Sequence, residues 1–114
     1  MKVDVTVAGP GTLVVAPQGD VDMSSSPEVR RLLAPLFGGG VRRIVVDLSM
    51  VPYMDSSGIA TLIEGLQLSQ RSSVRFSLAG MHPAVQAVFE LAHLQDVFQL
   101  FPDVATALAE GTQA

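Results

Sequence analysis

Cysteine and tryptophan are absent from this 114-residue chain, tyrosine occurs once, and aromatic residues make up only 5% of it. Without thiols there can be no disulfide and no thiolate metal site, a composition that suits a reducing cytoplasm. With no tryptophan and only one tyrosine, an aliphatic core is expected. Charge is also scarce at 16%, and seven basic residues face eleven acidic ones for a net charge of −4. Phosphate backbones select basic surfaces, so nucleic acid is not an expected partner. No run of roughly 18 apolar residues exists that could insert into a membrane, and Met1-Lys2-Val3-Asp4 lacks the apolar run of a signal peptide. A cytoplasmic protein is therefore expected. What the chain has in quantity is apolar side chains, 48% of the total, enough for one compact domain over residues 1–114.

The pattern of those side chains gives the architecture. Val3, Val5 and Val7 alternate with Asp4 and Thr6, the period-two signature of a half-buried strand. Gly9-Pro10-Gly11 turns the chain, and Leu13-Val14-Val15-Ala16 returns as the second arm of a hairpin. Ser24-Ser25-Ser26-Pro27-Glu28 carries helix-start signals, a serine cap with proline and an acid behind it. Val29, Leu32, Leu33, Leu36 and Phe37 supply the buried stripe, but Pro35 must kink that helix or end it, leaving Leu36-Phe37 to pack from a turn. Gly38-Gly39-Gly40 is the stop. Ile44-Val45-Val46-Asp47-Leu48 reads as a strand buried on both faces. Ile59, Leu62, Ile63 and Leu66 then recur at helical spacing, up to a polar connection at Gln70–Ser73. A strand at Val74–Ala79, a helix from Pro83 with Val85, Val88, Phe89 and Ala92 on one face, a short strand at Val97–Phe101 and a helix to about Glu110 complete the chain. The order β-β-α-β-α-β-α-β-α implies an α/β domain with a mixed, mostly parallel sheet of about five strands, the first antiparallel.

In such sheets, ligands and partners gather beyond the carboxyl ends of the strands. Asp20–Ser26, Pro52–Gly58 and Gly80–Pro83 are all expected there, each with a methionine (Met23, Met54, Met81) of the kind that adapts to contact surfaces. The densest stretch is Met54-Asp55-Ser56-Ser57-Gly58. Three N-cap residue types stand at one helix start, where unpaired N–H groups and the positive end of the dipole favour a phosphate. Asp20 and Asp22 project onto the same edge. An ordinary cap needs one such residue; three of them beside two further acids suggest a switch.

Catalytic readings fail on their missing parts. A nucleophile elbow needs a glycine two residues before the serine, and the residue there is not glycine. His82 and His93 sit in or beside one helix, where a turn or helix-end role explains them, and their spacing is no metal motif. Gly38-Gly39-Gly40 lacks the Lys-Ser/Thr of a phosphate-binding loop. Neither a catalytic centre, a cofactor nor a metal is expected.

The motifs together resemble the STAS domain of bacterial anti-sigma factor antagonists and of sulfate-transporter tails. Gly19-Asp20-Val21-Asp22 is similar to the family's G-E-L-D, and Ser25-Ser26-Pro27-Glu28 to its T-A-P-E helix start. Val46-Asp47-Leu48-Ser49 resembles V-x-D-L-S, and Met54–Ile59 the M/I-D-S-S/A-G-L signature. Leu78–Val85 resembles the stretch leading to the third helix. The resemblance implies a phosphoacceptor at Ser56, modified by an anti-sigma factor that is also a serine kinase and reset by a PP2C-type phosphatase. It implies that the unphosphorylated form binds the kinase and releases a sigma factor. Asp20, Asp22, Met23, Ser25, Met54, Asp55, Ser57, Gly58 and Met81 are the expected partner-facing residues. Two other roles are open to the same fold: an unphosphorylated subunit bound to the ATPase of a lipid-transport ABC system, and a stressosome-like scaffold or sensor module.

Overall fold

A computed structural model describes residues 1–111, so the last three positions of the expected domain lie outside the described residues. The alternation of patterns becomes β1 (Lys2–Gly9), β2 (Thr12–Gln18), α1 (Ser26–Leu33), β3 (Arg43–Asp47), α2 (Ser56–Ser72), β4 (Arg75–Ala79), α3 (Pro83–Leu91), β5 (Gln99–Phe101) and α4 (Val104–Gly111). The sheet keeps the sequence order β1-β2-β3-β4-β5, with β1 antiparallel to β2 and the remaining neighbours parallel. A right-handed crossover repeated in one direction puts α1, α2 and α3 on one face.

Odd and even positions of the strands then go to different cores. Ile44, Val46, Phe76 and Leu78 join Val15, Val29, Leu33, Leu62, Val85 and Phe89 beneath the three helices, so the core is not purely aliphatic as expected: Phe76, Phe89 and Phe98 are buried in it. Val45 and Ala79 point the other way, where Ala107, Val104 and Leu108 of α4 cover them. Arg43 fastens α4 by donating from its guanidinium to the carbonyls of Ala107 and Leu108. The continuous apolar run of β3 is thus explained: it has helices on both sides.

Four expectations need correction or sharpening. Pro35 ends α1 at Leu33, and a 3₁₀ turn over Ala34–Leu36 comes next. Phe37 packs from that turn against Phe76, with ring centroids 5.8 Å apart, while Leu32 stands on the exposed side of the helix. The alternating valines of β1 are not half-buried as a set: Val5 is 45% and Val7 73% exposed. Val3 still packs against the core beneath the helices, but α4 packs on β3, β4 and β5, so Val5 and Val7 run out along the outermost strand past that cover. Ala92, expected on the buried face of α3, is exposed, because the helix has already ended at Leu91.

Candidate functional site

The carboxyl ends of β2 and β3 each run into a short polar turn, and the two turns are tied together. Val21 forms a parallel bridge with Met54, its N–H donates to the Tyr53 carbonyl at 3.0 Å, and Asp55 N–H donates to the Val21 carbonyl at 3.1 Å. Gly19 N–H reaches the Met50 carbonyl at 2.9 Å. The loop after β2 is therefore stitched along the loop after β3, bringing the Asp22 turn beside the Asp55 turn, near enough for the two carboxylates to interact.

Each turn is organised by its aspartate. Asp55 is the N-cap of α2: its Oδ1 accepts from Ser57 N–H at 2.8 Å, Gly58 N–H at 3.4 Å and the Ser57 hydroxyl at 2.6 Å. Asp22 repeats the pattern, accepting from Ser24 N–H at 2.9 Å, Ser25 N–H at 3.3 Å and the Ser24 hydroxyl at 2.6 Å. The hydrogen bond from the neighbouring hydroxyl, with the backbone N–H bonds behind it, holds each carboxyl below its ordinary range. Partial burial of Asp55 and the nearby Asp22 carboxylate push Asp55 the other way without reversing the balance.

These bonds sort the hydroxyls. Ser24 and Ser57 spend theirs on the aspartates, and the Ser25 hydroxyl donates to the Asp20 carbonyl at 2.8 Å while accepting from Asp22 N–H at 3.0 Å. Ser25 thus braces the loop before α1, and its side chain makes no cap bond to that helix. Ser56 is exposed at the first position of α2, and among the described residues its hydroxyl has no hydrogen-bond partner.

Two expected partner-facing residues are instead internal. Met54 is 1% exposed and Gly58 is buried. A β-carbon on Gly58 would stand 2.5 Å from Met54 Cγ and 2.9 Å from Val21 Cγ1, so only glycine lets the helix start close on the bridged pair. These two residues shape the turn and are too covered to touch a partner. Met81 is half-buried and packs against the core. The Gly80–Pro83 turn meets the β3 loop rather than the helix start, through the His82 Nε2–H, which donates to the Ser49 carbonyl at 2.6 Å. Met23 is 79% exposed, and Met50 and Tyr53, whose carbonyls hold the loop after β2 at Gly19 and Val21, are exposed as well. Sequence reasoning passed over Met50 and Tyr53, although a lone tyrosine in a proline turn next to an acid–serine cluster was a readable signal. Among the described residues no group of three or more histidines, cysteines or acids could hold a metal, and no helix is long and apolar enough to cross a membrane.

This architecture, a five-stranded mixed sheet with four helices, is that of a STAS domain. The STAS family model matches residues 5–107, and the chain belongs to that family. Among curated proteins it is similar to the anti-sigma-B factor antagonist of Staphylococcus aureus, 28% identical over 82 residues that span 72% of this chain and 76% of the relative. The Staphylococcus epidermidis protein of the same name is 24% identical over a stretch of the same length. In fold it is similar to the anti-sigma factor antagonist SpoIIAA in its unphosphorylated form, with a TM-score of 0.85, 18% identity, and 99% and 98% of the two chains covered. An anti-sigma factor antagonist from Mycobacterium paratuberculosis matches with a TM-score of 0.86 and 24% identity over 96% of this chain and 92% of that one.

Proposed function

We infer that the protein is an anti-sigma factor antagonist whose binding is switched at Ser56. The observation that carries this reading is the free, exposed Ser56 hydroxyl at the N-terminus of a 17-residue helix, in a turn whose other hydroxyls are committed. The relatives named anti-sigma-B factor antagonist support the class of partner.

The unmodified rim presents Met23, Met50 and Tyr53 around Ser56, with the carboxylates of Asp20, Asp22 and Asp55 alongside. It docks an anti-sigma factor that is also a serine kinase and so frees the sigma factor. Transfer of a phosphoryl group to Ser56 adds about −1.5 to −2 charge at pH 7. Within the free domain the helix N-terminus favours that charge by about 0.3–1 kcal/mol, and the Asp55 cap is already satisfied, so the fold has no reason to change. In the complex the same dianion is buried against the partner beside carboxylates. A loss of about 1.4 kcal/mol lowers affinity tenfold, so a few kcal/mol releases the partner. A PP2C-type phosphatase restores the binding form. In this reading the domain is a binding module and the partner supplies the catalysis.

The test is incubation with the candidate kinase and ATP, followed by mass spectrometry. One added phosphate on Ser56, absent in Ser56→Ala, is expected. A phosphate on Ser57 or Ser24 instead, or none, would overturn the assignment.

A further inference from the structure

The two edges of the sheet are protected very differently. β5 is three residues long and α4 packs on it. β1 is eight residues long, contains no proline, pairs on one side only, and leaves Val5 and Val7 uncovered. A long edge with unpaired backbone groups and apolar side chains is a template for another strand.

The charges of β1 identify that strand. Lys2 and Asp4 lie on the face opposite the valines, because side chains alternate along a strand. Lys2 has no ion pair among the described residues. Asp4 accepts one bond at Oδ2, from Gln18 Nε2 at 2.5 Å, and its Oδ1 takes none. Now lay a second copy antiparallel on the open edge, with the two-fold axis through Val3. Lys2 falls opposite the copy's Asp4 and Asp4 opposite its Lys2, Val3 meets Val3, and Val5 meets Met1. Moving the axis to Asp4 sets two carboxylates against each other, and moving it further leaves both charges facing uncharged residues. Opposite charges directly across a strand pair stabilise it and like charges destabilise it. The strand is complementary to itself.

The geometry points to β1 as a homodimerisation edge, two copies joining antiparallel about Val3 through reciprocal Lys2–Asp4 pairs. The sheet then runs through both chains, and the contact is isologous. This register pairs only Met1–Val5 of each chain, which buries less than the ~1,200 Å² of a standard interface, so the dimer forms only at high protein concentration.

Sedimentation equilibrium from ~10 µM to ~1 mM, the micromolar-to-millimolar range of weak complexes, reads this directly. The native chain is expected to show a monomer–dimer equilibrium. Asp4→Lys and Lys2→Asp should each raise its dissociation constant at least about tenfold by setting like charges across the axis. Mixed in equal amounts, the two variants should recover the association as a heterodimer, since each cation then faces an anion. A native chain that stays monomeric at ~1 mM, single variants that associate as well as it does, or a mixture that remains monomeric would each overturn the proposal. Unchanged melting temperatures of the single variants establish that the exposed substitutions leave the fold intact.

Discussion

Val21-Asp22-Met23-Ser24-Ser25 and Met54-Asp55-Ser56-Ser57-Gly58 are two versions of one turn lying side by side. In both, a buried apolar residue precedes the acid, and these two residues bridge each other. In both, the acid accepts from the N–H groups two and three positions on and from the hydroxyl two positions on, with the hydroxyl at 2.6 Å each time. In both, the residue just after the acid is thrown outward. That residue is methionine in one turn and serine in the other. The same backbone device thus presents an apolar contact in the first case and a modifiable hydroxyl in the second. The exits of the two turns also differ: Asp55 caps a 17-residue helix directly, whereas α1 starts four residues after Asp22 in the sequence, at Ser26.

The largest effect that would separate inward from outward positions comes from the methionines. Met54→Ala should destabilise the fold by about 2–5 kcal/mol, the range for emptying a fully buried site. Met23→Ala should leave thermal stability unchanged and lower partner affinity, read by calorimetric titration. Equal melting temperatures for the two variants would break the distinction between inward and outward methionines. Next, Ser56→Asp should weaken partner binding by about a hundredfold, the equivalent of ~2.8 kcal/mol, while Ser56→Ala stays within a few-fold of the native chain. Equal affinities of the two variants would count against the switch. At the last position of the turn, Gly58→Ala should cost about 1–3 kcal/mol because the bridged side chains must move aside. Ser25→Ala, in the corresponding place, should cost about 1 kcal/mol for the lost hydroxyl bonds. Chemical denaturation of both variants decides this.

The smallest effect is acid sensitivity. The folded-state pKa values of Asp22 and Asp55 are depressed, as is that of Asp103, whose carboxylate accepts from Thr106 N–H at the start of α4. A depressed carboxylate stabilises the fold above its unfolded value, near 3.8, and that contribution is lost as pH falls through the lower folded value. The melting temperature should therefore be insensitive to these groups between about pH 5 and 8 and fall below about pH 4. Asp55→Asn should flatten that acid limb more than Asp22→Asn, since the longer helix depends on Asp55.

Much of this was legible in advance because it is local. Apolar patterning and turn residues located each strand and helix, with β5 starting at Gln99 rather than Val97, Pro35 announced a kink or the end of α1, and the cluster at Asp55–Gly58 marked the helix start. Only part of the rim could be read the same way. The alternating valines of β1 suggested a buried face, yet burial depends on what the rest of the chain lays over a strand, and here the core reaches Val3 but leaves Val5 and Val7 exposed. Met23 and Met54 look equivalent as letters, but one comes after its acid and the other precedes it, so they point in opposite directions. Arg43 gave no hint that it holds the end of a helix 64 residues away.

The sequence by itself determined the elements, their order and the turn chemistry, because capping, proline geometry and side-chain period act over a few residues. Tertiary structure decided which side chains meet solvent. That outcome depends on pairings such as Val21 with Met54, whose partners are distant in the chain and become neighbours only when the sheet forms.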